Sequence, residues 1–138
     1  MFNIDALKKW QLLVVDDDLF NASLIRSIME YYGIAVESAK DGIEGLDKLE
    51  QGDFNVIMLD LSMPNLDGWD MLKEIRKNPK LAHIPVIAFT AHAMQGDRDR
   101  VMEAGFDGYI PKPIRVARLL PELKEILSRV NQDRNARQ

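Results

Sequence analysis

Side chains with oxygen or ammonium chemistry end four separate apolar runs. Asp16, Asp17 and Asp18 follow Leu12-Leu13-Val14-Val15, Asp60 follows Val56-Ile57-Met58-Leu59, Thr90 follows Val86-Ile87-Ala88-Phe89, and Lys112 comes shortly after Tyr109-Ile110. A short Val/Ile/Leu-rich run bounded by polar and turn residues reads as a buried strand of a parallel sheet. Each group then lies at the carboxyl end of its strand, the edge where open α/β sheets bind ligands. Two carboxylates about 4 Å apart repel by about 1 kcal/mol in water and by about 4 kcal/mol at an effective dielectric of about 20, so acids gathered there need a cation. Hard oxygen ligands with waters filling the remaining positions suit Mg²⁺, with Mn²⁺ an acceptable substitute. An Asp carboxylate shielded in this way is a nucleophile for a phosphoryl group. A lysine ammonium is a point-charge partner for the incoming oxygens, and a threonine hydroxyl donates one more hydrogen bond.

Each of these residues also has an ordinary reading. Asp18 suits the N-cap of the next helix, and Asp16 and Asp17 taken singly fit the same capping cluster. Thr90 alone is a strand-end residue and Lys112 alone a solvated lysine. Four coincidences at matched positions favour a site, with Asp60 as its centre.

The elements that must position these residues follow from periodicity. Gln11 to Val15 reads as the first strand, and Leu19 to Tyr32 carries Leu24, Ile25, Ile28 and Met29 at helical spacing, stopped by Gly33. Ile34 to Ala39 reads as a second strand, Asp41 to Glu50 as a short helix, Asn55 to Leu59 as the third strand and Gly68 to Lys77 as a helix. Ile84 to Thr90 is the fourth strand, Met94 to Ala104 a polar helix ended by Gly105, Asp107 to Ile110 the fifth strand, and Arg115 to Val130 the last helix. Pro121 within that last pattern either kinks it or moves its start to near Leu120. Five strands alternating with five helices imply a doubly wound α/β fold with a parallel sheet covered on both faces.

The 138 residues make one domain over 1–130, in which 1–9 form an N-terminal extension and 131–138 a polar tail expected to fray. Ile4, Leu7 and Trp10 suggest extra packing before the first strand. A net charge of −4 argues against nucleic acid as a partner. The absence of cysteine removes disulfides, thiolate zinc sites and a cysteine nucleophile. With no apolar stretch of membrane length and no signal-peptide pattern near Met1, the protein is expected in the cytoplasm, away from membranes.

These residues resemble the receiver domain of two-component response regulators over about Leu12 to Leu127. Val14-Val15-Asp16-Asp17-Asp18, Met58-Leu59-Asp60-Leu61-Ser62-Met63-Pro64, Phe89-Thr90-Ala91 and Lys112-Pro113 occur in the family's order and at its separations. The resemblance implies a flavodoxin-like strand order 2-1-3-4-5 and makes Asp60 the phosphoacceptor. It implies Mg²⁺ held by Asp16, Asp17, Asp60 and the Ser62 carbonyl, and phosphoryl oxygens met by Thr90, Ala91 and Lys112. The Lys112–Pro113 peptide is expected to be cis. Thr90 and Tyr109 would form the switch, Thr90 moving toward the phosphoryl group and Tyr109 turning inward; an ordinary half-buried aromatic is the plainer reading of Tyr109. Ser62 and His92 would tune the lifetime of the modified state, though His92 equally fits a surface histidine without function. His83 reads as structural.

The implied partners are a histidine kinase or phosphotransfer protein as donor, and a downstream protein reading the fourth helix, fifth strand and fifth helix. Arg98, Asp99, Arg100 and Arg115 there suit the exchangeable salt bridges of a homodimer formed on phosphorylation, or a solvated face. With nothing folded expected after Val130, output would run through protein contact, unless the chain is a fragment of a larger regulator or hybrid kinase. Two other functions invite comparison, the second of which shares the strand order. An aspartyl-phosphate hydrolase of the haloacid dehalogenase kind wants an Asp two residues after the nucleophile, where this chain has Ser62. A flavodoxin-type flavin carrier wants a Ser/Thr/Gly-rich first loop, where this chain is triply acidic. The expectation is therefore a phosphorylation-dependent switch, not an enzyme acting on other molecules.

Overall fold

Strands with near-continuous apolar runs must be covered on both faces, and the sheet is built accordingly. A computed structural model describes residues 10–63, 65–91 and 97–136. The strands are β1 (Gln11–Val15), β2 (Ala35–Ala39), β3 (Val56–Asp60), β4 (Val86–Thr90) and β5 (Gly108–Pro111). All pairings are parallel, in the order β2-β1-β3-β4-β5. Every residue of β3 and β4 is buried, whereas the edge strand β2 alternates, which is the difference expected between central and edge positions. The helices are α1 (Leu19–Tyr31), α2 (Gly42–Gln51), α3 (Gly68–Lys77), α4 (Asp97–Ala104) and α5 (Val116–Ala136). Side-chain alternation divides the core in two. Leu12, Val14, Met58 and Phe89 pack with Ile25 of α1 and Leu123 of α5 on one face. Leu13, Val15, Leu59 and Ala88 pack with Met71 of α3 and Val101 of α4 on the other.

Helix starts follow their caps. The carboxylates of Asp18, Asp41 and Asp67 accept from the N–H groups of Phe20 (2.9 Å), Glu44 (2.8 Å) and Asp70 (2.9 Å). Helix α1 ends in a Schellman-type turn, with Gly33 at φ 82° and the Ile34 N–H donating to the Met29 carbonyl at 3.0 Å. Asp41 and Asp107 thus lie just outside the elements their apolar neighbours begin, and Asp60 lies within β3. The start at Val116 excludes a helix beginning near Leu120: α5 accommodates Pro121 in its second turn. The helix also continues to Ala136, past Asn131 where the polar tail was expected to fray. The expected packing of Ile4 and Leu7, and the start of the fourth helix at Met94, lie outside the described residues.

One side chain ties the loops of the sheet's amino edge together. Arg76, near the end of α3, donates to the carbonyls of Ala82 (3.1 Å), Ile84 (3.0 Å) and Gly105 (2.9 Å) and to Asp107 Oδ2 (2.8 Å). The same Asp107 oxygen accepts from the Val86 N–H at 2.8 Å, so α3, the entry to β4 and the entry to β5 share one charge-assisted network. Removing the guanidinium leaves a half-buried carboxylate without its counter-charge and three carbonyls without that donor. Arg76→Ala is expected to lower the unfolding free energy by about 2–3 kcal/mol in urea titrations, and a second Asp107→Ala change to cost much less than its single-variant effect.

Candidate functional site

The site grows from the register of four adjacent strands, β1, β3, β4 and β5. Val15 pairs with Leu59, Asp60 with Phe89 and Thr90 with Pro111. Asp16 follows the last residue of β1, Asp60 and Thr90 end β3 and β4, and Lys112 follows β5. All therefore gather at the carboxyl edge. Asp16, Asp60 and Thr90 are buried and Asp17 is exposed. Buried charge at this density must be compensated, and Lys112 is the internal counter-charge. Its ammonium lies 3.0 Å from Asp16 Oδ2 and 3.3 Å from Asp60 Oδ2, and 4.7 Å from the centre of the Phe89 ring.

The loops orient the carboxylates. Asp16 Oδ1 accepts from the Asp18 N–H at 2.9 Å, while the Asp18 side chain caps α1. Asp60 Oδ1 accepts from the Ser62 N–H at 3.3 Å, which ties the backbone of Ser62 to the acid. The loop after β3 is held close to its strand by Gly68. A Cβ there would stand 2.3 Å from the Asp60 carbonyl oxygen, so only glycine lets α3 start against the strand end. Asn65, at φ 68°, donates from Nδ2 to Asp41 Oδ2 at 2.8 Å and pins the same loop to the cap of α2. The N–H of Glu44 and the Asn65 amide hold the Asp41 carboxyl below the usual carboxylate range despite its burial.

Electrostatics at Asp60 run the other way. Burial first, and then the Asp16 charge, push its carboxyl up to about 6, against the opposing pull of Lys112 and the Ser62 N–H. Burial would lower the Lys112 ammonium, but its contacts with Asp16 and Asp60 outweigh that and hold it above the ordinary lysine value.

Carboxylate oxygens of Asp16, Asp17 and Asp60 lie within 4.8 Å of one another. Asp16 Oδ2 is buried and has the Lys112 charge beside it, yet no donor in hydrogen-bonding alignment. An acceptor left so, beside two more hard oxygens of which one faces solvent, fits a small divalent cation such as Mg²⁺.

Among the other expected residues, Ala91 is exposed at the end of β4, and the Thr90 carbonyl accepts from the Lys112 N–H at 2.8 Å. The Lys112–Pro113 peptide is cis. Tyr109 is half-buried on the face that α4 covers, where burial and then the Asp97 charge raise its hydroxyl above the ordinary value. His92 lies outside the described residues. The Asn65–Asp41 tie and the ring beneath Lys112 were missed in the sequence. Asn65 and Phe89 read as loop and core residues, and only tertiary contact distinguishes them.

A profile of the response regulator receiver domain matches residues 12–124. The chain belongs to the response regulator receiver domain family. It is 34% identical over 116 residues to the polar-differentiation response regulator DivK of Brucella ovis, covering 84% of this chain and 94% of that one. The receiver domain of a sensor histidine kinase from Pseudomonas aeruginosa, solved with magnesium coordinated in its active-site cleft, is 32% identical with a TM-score of 0.77, covering 86% of this chain and 98% of that one. The chemotaxis protein CheY4 of Vibrio cholerae is 26% identical with a TM-score of 0.79, covering 85% and 98%. Receiver domains are phosphoryl-accepting signalling modules that bind Mg²⁺ in the active site and work with histidine kinases and downstream targets. No helix among the described residues is long and apolar enough to cross a membrane.

In the metal-free receiver domain, ionised Asp60 opposes folding. Its folded pKa exceeds the ordinary 3.8, so the native state holds the proton more tightly. The contribution of Asp60 to stability is then largest below 3.8 and is lost as pH rises through about 6. Asp60→Asn is expected to raise the unfolding free energy by about 1–3 kcal/mol in EDTA at neutral pH, with the gain shrinking toward pH 4. Paired urea titrations across that range check it; a gain independent of pH would contradict the assignment.

Proposed function

We propose that Asp60 is the phosphoacceptor of a signalling switch, charged by a phosphohistidine of a sensor kinase or phosphotransfer protein. The observation that carries this is the placement of Asp60 at the carboxyl edge, with Lys112 Nζ at 3.3 Å and Asp16 and Asp17 alongside. An Asp60 Oδ attacks the phosphorus in line, the O–P bond forms, the N–P bond of the phosphohistidine breaks, and the leaving imidazole keeps the electron pair and takes up a proton. Asp16, Asp17, Asp60 and the Ser62 carbonyl would hold Mg²⁺, which when bound neutralises charge on the carboxylates and the phosphoryl oxygens. Lys112 pairs with one phosphoryl oxygen, and the Ala91 N–H and Thr90 hydroxyl donate to others. Loss of the phosphoryl group needs a water in line with the O–P bond, and Ser62 and His92 are the residues we assign to tuning that step.

The modified state is read through Thr90 and Tyr109. Thr90 drawn toward the phosphoryl group frees space on the α4 face for the half-buried Tyr109 to turn inward, changing the surface of α4, β5 and α5. Arg98, Asp99, Arg100 and Arg115 are exposed there, and Arg100 pairs with Asp97 at 3.7 Å. Such exposed pairs exchange partners at little cost, which suits a protein target or a second copy of the chain.

Incubation with acetyl phosphate and Mg²⁺, read by intact mass, is expected to add one phosphoryl group. EDTA or Asp60→Asn should abolish the addition, and Lys112→Ala should slow it by at least about tenfold, the loss of one charge-assisted contact. Unchanged modification of the Asp60→Asn protein would assign the chemistry to another residue.

A further inference from the structure

Phe89 fills the core beneath β4 and is fully buried among residues of α1 and α5. It also does something an aliphatic residue of its size would not. The Lys112 ammonium, bounded by Asp16 at 3.0 Å and Asp60 at 3.3 Å, rests 4.7 Å from the centre of its ring. That is inside the roughly 6 Å over which a ring quadrupole attracts a cation, and the Lys112 side chain is only 16% exposed, so water does little to screen the contact. A lysine is a flexible, strongly hydrated point charge, and fixing its stem costs rotamer entropy. The carboxylates define where the ammonium goes when the site is empty of phosphoryl. Once a phosphoryl group arrives, the ammonium must turn toward new oxygens, and the Phe89 ring attracts it without competing as an anion.

We propose that Phe89 is a positioning residue for Lys112, its ring face holding the ammonium at the site as its anionic partners change. This rests on the reading of Asp60 as phosphoacceptor. The role belongs to the ring's electron distribution, not to its volume, and that separates it from ordinary packing. A Leu or Met at 89 would keep an apolar core yet leave the ammonium without its floor.

Site-specific replacement of Phe89 by mono-, di- and trifluorophenylalanine weakens the ring quadrupole at nearly constant shape. The rate of Mg²⁺-dependent phosphorylation by acetyl phosphate is expected to fall stepwise along the series, by about fivefold at the trifluoro member, while the thermal midpoint stays nearly constant. Lys112 ε-methylene protons should show an upfield ring-current shift in NMR spectra of the unmodified protein, lost in Phe89→Leu. A flat rate series, a rate that tracks only the thermal midpoint, or the absence of the ring-current shift would each overturn the proposal. No phosphorylation of the unsubstituted protein is a separate result: it overturns the phosphoacceptor reading, and this role with it, however the ring-current shift reads.

Discussion

A lysine ammonium wedged between two buried carboxylates, with a third acid at the rim, dictates much of what surrounds it. Asp16 follows and Asp60 ends one of two neighbouring interior strands of a parallel sheet, where low-dielectric walls amplify both their repulsion and their attraction to Lys112. One internal cation does not balance three acids. The upward displacement of Asp60 toward 6 and the Asp16 oxygen without an aligned donor both express that deficit. A receiver domain built this way carries an unfavourable charge cluster in its free form, and the cluster is what makes a divalent cation welcome there.

Holding such a cluster together takes a scaffold that resists relaxation. Buried β3 and β4 keep Asp60 from moving out into water. The glycine at 68 brings α3 against the Asp60 carbonyl, and the Asn65–Asp41 tie fastens the same loop to the cap of α2. At the opposite edge, Arg76 and Asp107 hold the strand entries together, so the sheet's register, and hence the meeting of Asp16, Asp60, Thr90 and Lys112, is braced at both ends. Packing and polar networks thus serve one end, the fixed placement of a few charged groups.

The elements legible in the sequence were those whose signal is local. Apolar runs marked all five strands, Asp18 marked the start of α1, and Gly33 and Gly105 marked helix ends. Where boundaries moved, a nonlocal partner moved them. Asp107 reads as the start of a strand but serves the Val86 N–H and Arg76 instead. Pro121 reads as a break, yet α5 runs through it because Leu119, Leu120, Leu123 and Leu127 on the same helix are anchored in the core.

Residue types and their order at strand ends were enough to nominate Asp16, Asp17, Asp60, Thr90 and Lys112, because parallel βα units carry every strand end to the same edge of the sheet. Tertiary structure alone decided which oxygen faces which charge, that Asp16 Oδ2 lacks an aligned donor, that Asn65 reaches Asp41, and that a core phenylalanine underlies the lysine. These are angles and distances between residues far apart in the chain. A linear pattern can say that an acid will arrive at an edge, but only packing sets what it meets there.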